Sequence, residues 1–181
     1  TINKAWFSTN VGNIYLSNDL GTTLNPLFSD ANYQLNEIAS IGQDSVWVIG
    51  YSSFSTPTAN RTTSLIRTYD GGNTWQTIGG FPVGSTAPNL RYLTMTNHRV
   101  GYAAGTKNGV FKTTDGGDTW NQILFTNDTT GVGDMIMDPK NPNKLIVGMW
   151  HHYRNPYHLE SGGNGSGLYM TVDGGKNFIK L

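Results

Sequence analysis

Short apolar stretches with strand-like alternation punctuate the chain, and each of four runs straight into a polar, glycine-rich segment. These stretches are Ile14-Tyr15-Leu16, Leu65-Ile66-Arg67, Gly109-Val110-Phe111-Lys112 and Gly167-Leu168-Tyr169-Met170. Brief alternating runs bounded by Gly, Asn, Asp and Thr predict half-buried β-strands joined by tight turns. Composition points the same way. Thr, Asn, Ser and 23 Gly dominate the polar part, and aromatic residues make up 12% of the chain. That mixture suits strands and turns better than helices.

The turn segments repeat. They read Ser17-Asn18-Asp19-Leu20-Gly21-Thr22-Thr23-Leu24, Thr68-Tyr69-Asp70-Gly71-Gly72-Asn73-Thr74-Trp75, Thr113-Thr114-Asp115-Gly116-Gly117-Asp118-Thr119-Trp120 and Thr171-Val172-Asp173-Gly174-Gly175-Lys176-Asn177-Phe178. The shared pattern is Asp-x-Gly-x-Thr-Trp, complete in the two middle copies and relaxed in the outer two. The chemistry is that of a hairpin. The aspartates Asp19, Asp70, Asp115 and Asp173 accept hydrogen bonds from the turn that follows. Gly21, Gly72, Gly117 and Gly175 allow positive φ. Trp75, Trp120 and, in the last copy, Phe178 offer apolar plates to a neighbouring unit. This makes the boxes structural; a calcium ion held beside one is the minority alternative.

The aspartates are separated by 70 − 19 = 51, 115 − 70 = 45 and 173 − 115 = 58 residues. Such a period fits a four-stranded propeller blade of about 40–50 residues with excess left for loops. Two more strands are predicted upstream of the box in each of the second, third and fourth units: Glu37–Ile41 and Ser45–Gly50, Arg91–Thr96 and Val100–Gly105, Asp134–Asp138 and Lys144–Trp150. The first unit starts at Ala5-Trp6-Phe7-Ser8 and has no innermost strand. The predicted fold is an all-β propeller region of four-stranded antiparallel blades spanning 1–181, divided at about 1–30 (partial), 31–82, 83–127 and 128–181. Four blades with one truncated are few for a closed ring, and a chain that opens on Thr1 reads as a processed form or a piece. The expectation is part of a larger propeller, completed by further blades or by partner chains.

Charge and cysteine narrow the function classes. Lys+Arg and Asp+Glu both number 12, so no basic field invites nucleic acid or an anionic membrane surface. With no cysteine, disulfides, thiolate metal sites and cysteine nucleophiles are excluded. No apolar stretch approaches the roughly 20 residues of a membrane span.

The four boxes resemble the Asp-box, or bacterial neuraminidase, repeat, found in sialidases, xyloglucan-active endoglucanases, sortilin-type receptor domains and a photosystem assembly factor. Val100-Gly101-Tyr102-Ala103-Ala104-Gly105 followed by Gly109 to Gly117 looks like the assembly-factor and secreted bacterial versions. Met137-Asp138-Pro139-Lys140-Asn141-Pro142-Asn143, with Met149-Trp150, Arg154-Asn155-Pro156-Tyr157 and the run 161–169, is similar to sortilin-like and xyloglucanase-like bacterial proteins. The resemblance implies an extracellular or periplasmic setting. It implies a module that binds a protein or polysaccharide, with a glycoside hydrolase fragment or a protein-docking assembly factor as alternatives.

In an up-and-down blade the box turns lie on one face, and the connections between second and third strands lie on the other. Candidate chemistry is therefore sought opposite the boxes. Glu37, Tyr92 and Asp134 are placed at the starts of three innermost strands, near the channel mouth. Glu37 and Asp134 could serve as the carboxylate pair of a glycosidase, or merely cap strand ends. The second-to-third-strand connections run Tyr51 to Thr62, Thr106-Lys107-Asn108, and Trp150 to Ser166. The first carries Arg61. The last carries Trp150, Tyr153, Arg154, Tyr157 and His158, whose rings and polar tips suit a sugar or peptide; it equally reads as a long loop folded over its own blade. His151, His152, His158 and Glu160 lack the spacing of a recognised metal site, so no metal or other cofactor is predicted. The run 162–167 lacks the Gly-Lys-Ser/Thr ending of a phosphate loop, and the scattered arginines 61, 67, 91, 99 and 154 disfavour sialidase chemistry. Sequon matches at Asn60, Asn127 and Asn164 are expected by chance in so Asn- and Thr-rich a chain.

Overall fold

A computed structural model describes residues 4–52, 63–78, 81 and 90–181. Four antiparallel sheets follow one another along the chain. The first contains β1 (Ala5–Ser8), β2 (Asn13–Ser17) and β3 (Asn25–Ser29). The second contains β4 (Tyr33–Ile41), β5 (Ser45–Ser52), β6 (Thr63–Thr68) and β7 (Gln76–Ile78). The third contains β8 (Leu90–Met95), β9 (Gly101–Gly105), β10 (Val110–Thr113) and β11 (Asn121–Leu124). The fourth orders β12 (Thr130–Asp138), β13 (Asn141–Asn155), β15 (Gly167–Thr171) and β16 (Ile179–Lys180), with β14 (His158–Ser161) paired to the far end of β13. Strands are thus adjacent in chain order, as in propeller blades. Among the described residues the first blade has three strands and no helix occurs.

The side-chain period of two gives each blade two apolar faces. In the second blade Val46, Val48 and Ile66 turn toward the first, joining Ile14 and Leu35, with Trp6, Phe28 and Trp75 packed around them. Trp47, Ile49 and Leu65 turn the other way, to Leu93, Phe111 and Trp120 of the third blade. Ala104, Val110 and Leu124 then meet Val132, Val147 and Met149 of the fourth. The core is therefore a series of blade–blade layers.

Long side chains of the second and third blades latch them to the blade that follows. Trp47 Nε1 and Arg67 Nη1 donate to the Gly116 carbonyl at 2.8 and 2.9 Å, and Arg67 Nη2 lies 2.9 Å from Asp118 Oδ1. One blade further on, Lys112 Nζ donates to the Gly174 carbonyl at 2.7 Å and the Tyr102 hydroxyl to the Pro142 carbonyl at 3.2 Å.

Two sequence expectations change. The innermost strands begin earlier than expected, at Tyr33, Leu90 and Thr130. Each carries a bulge, between Leu35 and Glu37, Leu90 and Tyr92, and Val132 and Asp134. Glu37, Tyr92 and Asp134 consequently sit just past the bulges rather than at strand starts. The extra residue interrupts strand alternation, which hides the residues before it from a pattern search. The Trp150–Ser166 connection is likewise not an irregular loop. β13 continues to Asn155 and turns back through β14, pairing His152 with Ser161, Tyr153 with Glu160, Arg154 with Leu159 and Asn155 with His158.

Candidate functional site

Four nearly superimposable boxes occupy one side of the blades. In the third, the Thr113 hydroxyl donates to Asp115 Oδ1 at 2.8 Å while accepting the Gly117 N–H at 2.9 Å. Asp115 Oδ1 also accepts the Thr119 N–H at 2.9 Å, and Oδ2 accepts its hydroxyl. The second blade repeats this through Thr68, Asp70 and Thr74. The relaxed copies keep the network by substitution. Ser17 replaces the first threonine, and Asn177 Nδ2 reaches Asp173 Oδ2 at 2.8 Å where the others use a threonine hydroxyl. The buried hydroxyls of Ser17, Thr68, Thr113 and Thr171 are hubs that the sequence reading gave no role. A hydroxyl two residues before every box aspartate was the available signal.

These bonds favour the ionised carboxylates. Hydrogen bonds from the Thr74 hydroxyl and N–H bring Asp70 down to about 2. For Asp115, burial pushes upward, but the Thr119 and Thr113 hydrogen bonds outweigh it and again leave it at about 2. Asp19 and Asp173 are lowered too, led by the backbone N–H groups of Thr23 and Asn177. Trp75 and Trp120 each donate Nε1 to the second box glycine's carbonyl at 3.1 Å, and Trp120 stacks on Phe81 at 4.8 Å. Phe178 packs on the layer between the third and fourth blades.

The opposite side is irregular. Glu37, Tyr92 and Asp134 occupy one repeated position, paired with Ile49, Ala104 and Gly148 on the second strands. The Tyr92 hydroxyl donates to the Gly133 carbonyl of the next blade, and Asn36 Nδ2 donates to the Leu90 carbonyl at 3.1 Å. Burial raises the Glu37 carboxyl above its ordinary value. Asp134 is exposed, and its Oδ1 accepts the Met135 N–H at 2.8 Å. Glu37 and Asp134 stand on blades two apart, with no hydrogen bond between them.

The β13–β14 ribbon carries most of the candidate ligand contacts. Its turn is braced by the Asn155 side chain, which accepts the Tyr157 N–H at 2.9 Å. Strand parity puts His151, Tyr153, His158 and Glu160 on one side and Trp150, Arg154, Leu159 and Ser161 on the other. Glu160 lies 3.0 Å from His158 Nε2 and 3.5 Å from His151 Nε2, and the His158 hydrogen bond lowers its carboxyl. Tyr157, at the tip, is 97% exposed, and Trp150 and Tyr153 are each 51% exposed. The Trp150 Nε1 donates to Ser161 Oγ at 3.2 Å, which holds the indole at the ribbon's foot. The glycine-rich return is tied down by Ser166, whose Oγ accepts the His151 N–H at 2.9 Å, and by the Tyr169 hydroxyl on the Gly165 carbonyl at 3.1 Å. At the foot of the ribbon, Asp134, Gly148, Met149, Trp150 and Leu168 line an apolar cleft of 310 Å³. The structure thus brings Trp150 and Asp134 together and sets Tyr153 and His158 on a shared side. Tyr92 stands on the third blade, apart from the ribbon, and Arg61 lies outside the described residues.

Among the described residues no group of three His, Asp or Glu side chains is arranged to hold a metal ion, and no helix is long and apolar enough to cross a membrane.

Residues 63–181 match the family model described as sortilin, neurotensin receptor 3 (Sortilin-Vps10), and the chain belongs to that family. No curated protein matches the sequence. Among solved structures, the chain is similar over its whole length to 28% of a GH74 enzyme from Niastella koreensis (19% identity, TM-score 0.69). It is similar to 29% of the GH74 xyloglucanase from Xanthomonas campestris (17% identity, TM-score 0.71). YCF48 bound to a D1 peptide is also similar, over 100% of this chain and 65% of that one (16% identity, TM-score 0.58). The chain therefore spans under a third of the two GH74 proteins. At these identities the likeness is one of fold, and it identifies the sheets as blades of a β-propeller.

Proposed function

We propose that the chain is the ligand-binding part of a secreted or periplasmic β-propeller, which takes a protein or glycan against the β13–β14 ribbon and the cleft at its foot. One observation carries this reading. Aromatic rings that a folded domain ordinarily buries stand in solvent on a hydrogen-bonded ribbon, beside an apolar cleft. Rigid aromatic side chains supply large contact area at small entropic cost, so they serve as anchors for sugars and peptides alike. Arg154, on the Trp150 side of the ribbon, adds donors and charge for orientation, and the His151–Glu160–His158 trio offers the same on the Tyr153 side.

Probing a glycan array and a peptide library with the intact chain tests this, with Trp150→Ala and Tyr157→Ala as comparators. Binding that both substitutions weaken supports the ribbon site; binding that neither alters refutes it. The D1 peptide bound by YCF48, whose fold this chain shares, makes peptides a reasonable first ligand class.

A polysaccharide hydrolase is the second reading. It is favoured by the raised Glu37 carboxyl, a trait of general acids, and by Asp134 beside Trp150 in the cleft. Here Glu37→Gln and Asp134→Asn each abolish turnover of a xyloglucan-type substrate, and retention of full turnover by both removes them as the catalytic pair.

A further inference from the structure

The upper part of β13 has an open backbone edge. The His151 carbonyl accepts the Gly162 N–H at 2.9 Å, and the His151 N–H donates to Ser166 Oγ at 2.9 Å. These groups point to the edge that β13 shares with β14 and β15. The period of two sends the backbone groups of Tyr153 and Asn155 the same way, and the N–H and C=O of His152 and Arg154 to the opposite edge. Along that opposite edge β13 pairs with β12, but the pairing ends at Thr130 and His151. The chain leading into β12 does not prolong the line. Asn127 Oδ1 accepts the Thr129 N–H at 3.1 Å in a turn, and Thr126 and Asn127 pack against Gly165, in the return from β14 to β15. Among the described residues nothing pairs with the outward groups of His152 and Arg154.

This edge suits a further strand. From His152 onward both strands of the ribbon are exposed, and a two-stranded ribbon gains independent stability only from a third strand or a packed face. No bulge or proline interrupts β13 between His151 and Asn155, although such devices are how folded proteins blunt open edges. An added strand would also extend the ladder that β12 and β13 already form.

We infer that the ribbon takes its ligand as a strand: an extended peptide of β-branched residues, antiparallel to His152–Asn155 and in line with β12, with a carboxylate opposite Arg154. This rests on the ribbon being the ligand site, and it selects a peptide because a sugar has no alternating N–H and C=O groups to match the edge. Side chains directly opposite one another share a side of the sheet, so a glutamate there meets the guanidinium of Arg154. Arg154 is exposed and joins no ion pair among the described residues. A β-branched residue opposite Tyr153 meets its ring in the same way. The outer edge of β14 also turns backbone groups outward, at Leu159 and Ser161, but it continues no existing ladder.

The probe is the acetylated, amidated peptide Thr-Val-Glu-Val-Thr-Val, titrated into the intact chain. At saturation the amide exchange of His152 and Arg154, followed by NMR, should slow by about tenfold while that of Leu159 is unchanged. N-methylation of the glutamate and the second threonine, which face β13, should abolish binding; N-methylation of the first two valines should not. These peptides decide the matter without altering the protein. His152→Pro removes one outward N–H and none from the β14 ladder, and it should weaken binding about tenfold relative to His152→Ala. A peptide with lysine for glutamate should lose binding and regain it with Arg154→Glu. Equal effects of the two methylation sets overturn the inference, as does protection at Leu159 in place of His152 and Arg154. In both cases weakening by Trp150→Ala leaves the ribbon site standing. No binding of the peptide also overturns it, and glycan binding that Trp150→Ala and Tyr157→Ala weaken would then keep the site but change its ligand.

Discussion

The two sides of the blades contrast sharply. On one side, four turns from four diverged segments hold the same hydrogen bonds to within a few tenths of an ångström. On the other, the connection between second and third strands runs from the short 106–108 turn to a ribbon reaching Tyr157. Three of the four box turns are constrained twice, by their own carboxylate and by the preceding blade, whose Leu27, Leu65 and Ile123 lie 2.6, 2.4 and 2.5 Å from a Cβ placed on Gly72, Gly117 and Gly175. The ribbon is constrained only by its own ladder. Sequence freedom collects where no neighbour dictates the shape.

The sharpest way to break that contrast is to overfill a box. Gly117 has φ 102°, and a side chain there would run into Leu65. Gly117→Val is expected to cost about 3 kcal/mol from overpacking and backbone strain. Gly21→Val, at φ 93° but with open space, should cost about 1–2 kcal/mol from strain alone. Urea unfolding of the two variants measures the difference, and equal losses would show that the neighbouring blade exerts no pressure on the box.

Acid provides the next test. Asp70 and Asp115 titrate at about 2 in the folded chain, against about 3.9 when unfolded. A lowered folded value stabilises above the unfolded one and is lost as the pH falls through the folded one. The melting temperature should therefore decline between about pH 4 and pH 2, and Asp70→Asn should flatten that decline. A variant that reproduces the parent pH curve would show that the box carboxylate contributes nothing to it.

On the other side the effects should fall on binding. Trp150→Ala and Tyr157→Ala are each expected to weaken a ribbon ligand by about tenfold, equivalent to about 1.4 kcal/mol. Thermal stability should change little, since surface substitutions stay within about 0.5 kcal/mol. Calorimetry with the same ligand and protein distinguishes this from a packing role, which would move both quantities.

The smallest effect concerns Glu37. Its carboxyl is raised by burial, so the folded chain favours the protonated form, and that contribution is present at low pH and lost as pH rises through the folded value. Glu37→Gln, a permanent mimic of the neutral acid, should make the chain slightly more stable at neutral pH and indistinguishable in acid. A loss of stability at pH 7 would mean that the ionised form makes a favourable contact.

The repeat was legible because its chemistry is local. A carboxylate, a positive-φ glycine and a hydroxyl within one turn announce a hairpin without help from the rest of the chain, and the spacing of the turns counts the blades. The inner strands were less legible. A bulge beside Glu37, Tyr92 and Asp134 shifts the alternation by one residue, and only the partner strand shows which residue is extra. The ribbon was hidden for a related reason. His151 to Glu160 is polar on both sides, so no buried face gives it a readable period, and its pairing across Pro156 and Tyr157 depends on register.

The sequence by itself determined the all-β class, the four box hairpins and the order of strands, because each follows from turn chemistry and alternation within a few residues. Only the tertiary structure decided which aliphatic positions lie beneath a neighbouring box and which stand open. Ile14, Leu65, Val110 and Leu168 hold one repeat position in the chain, yet packing against the adjoining blade buries the first three completely, whereas Leu168 is 53% exposed.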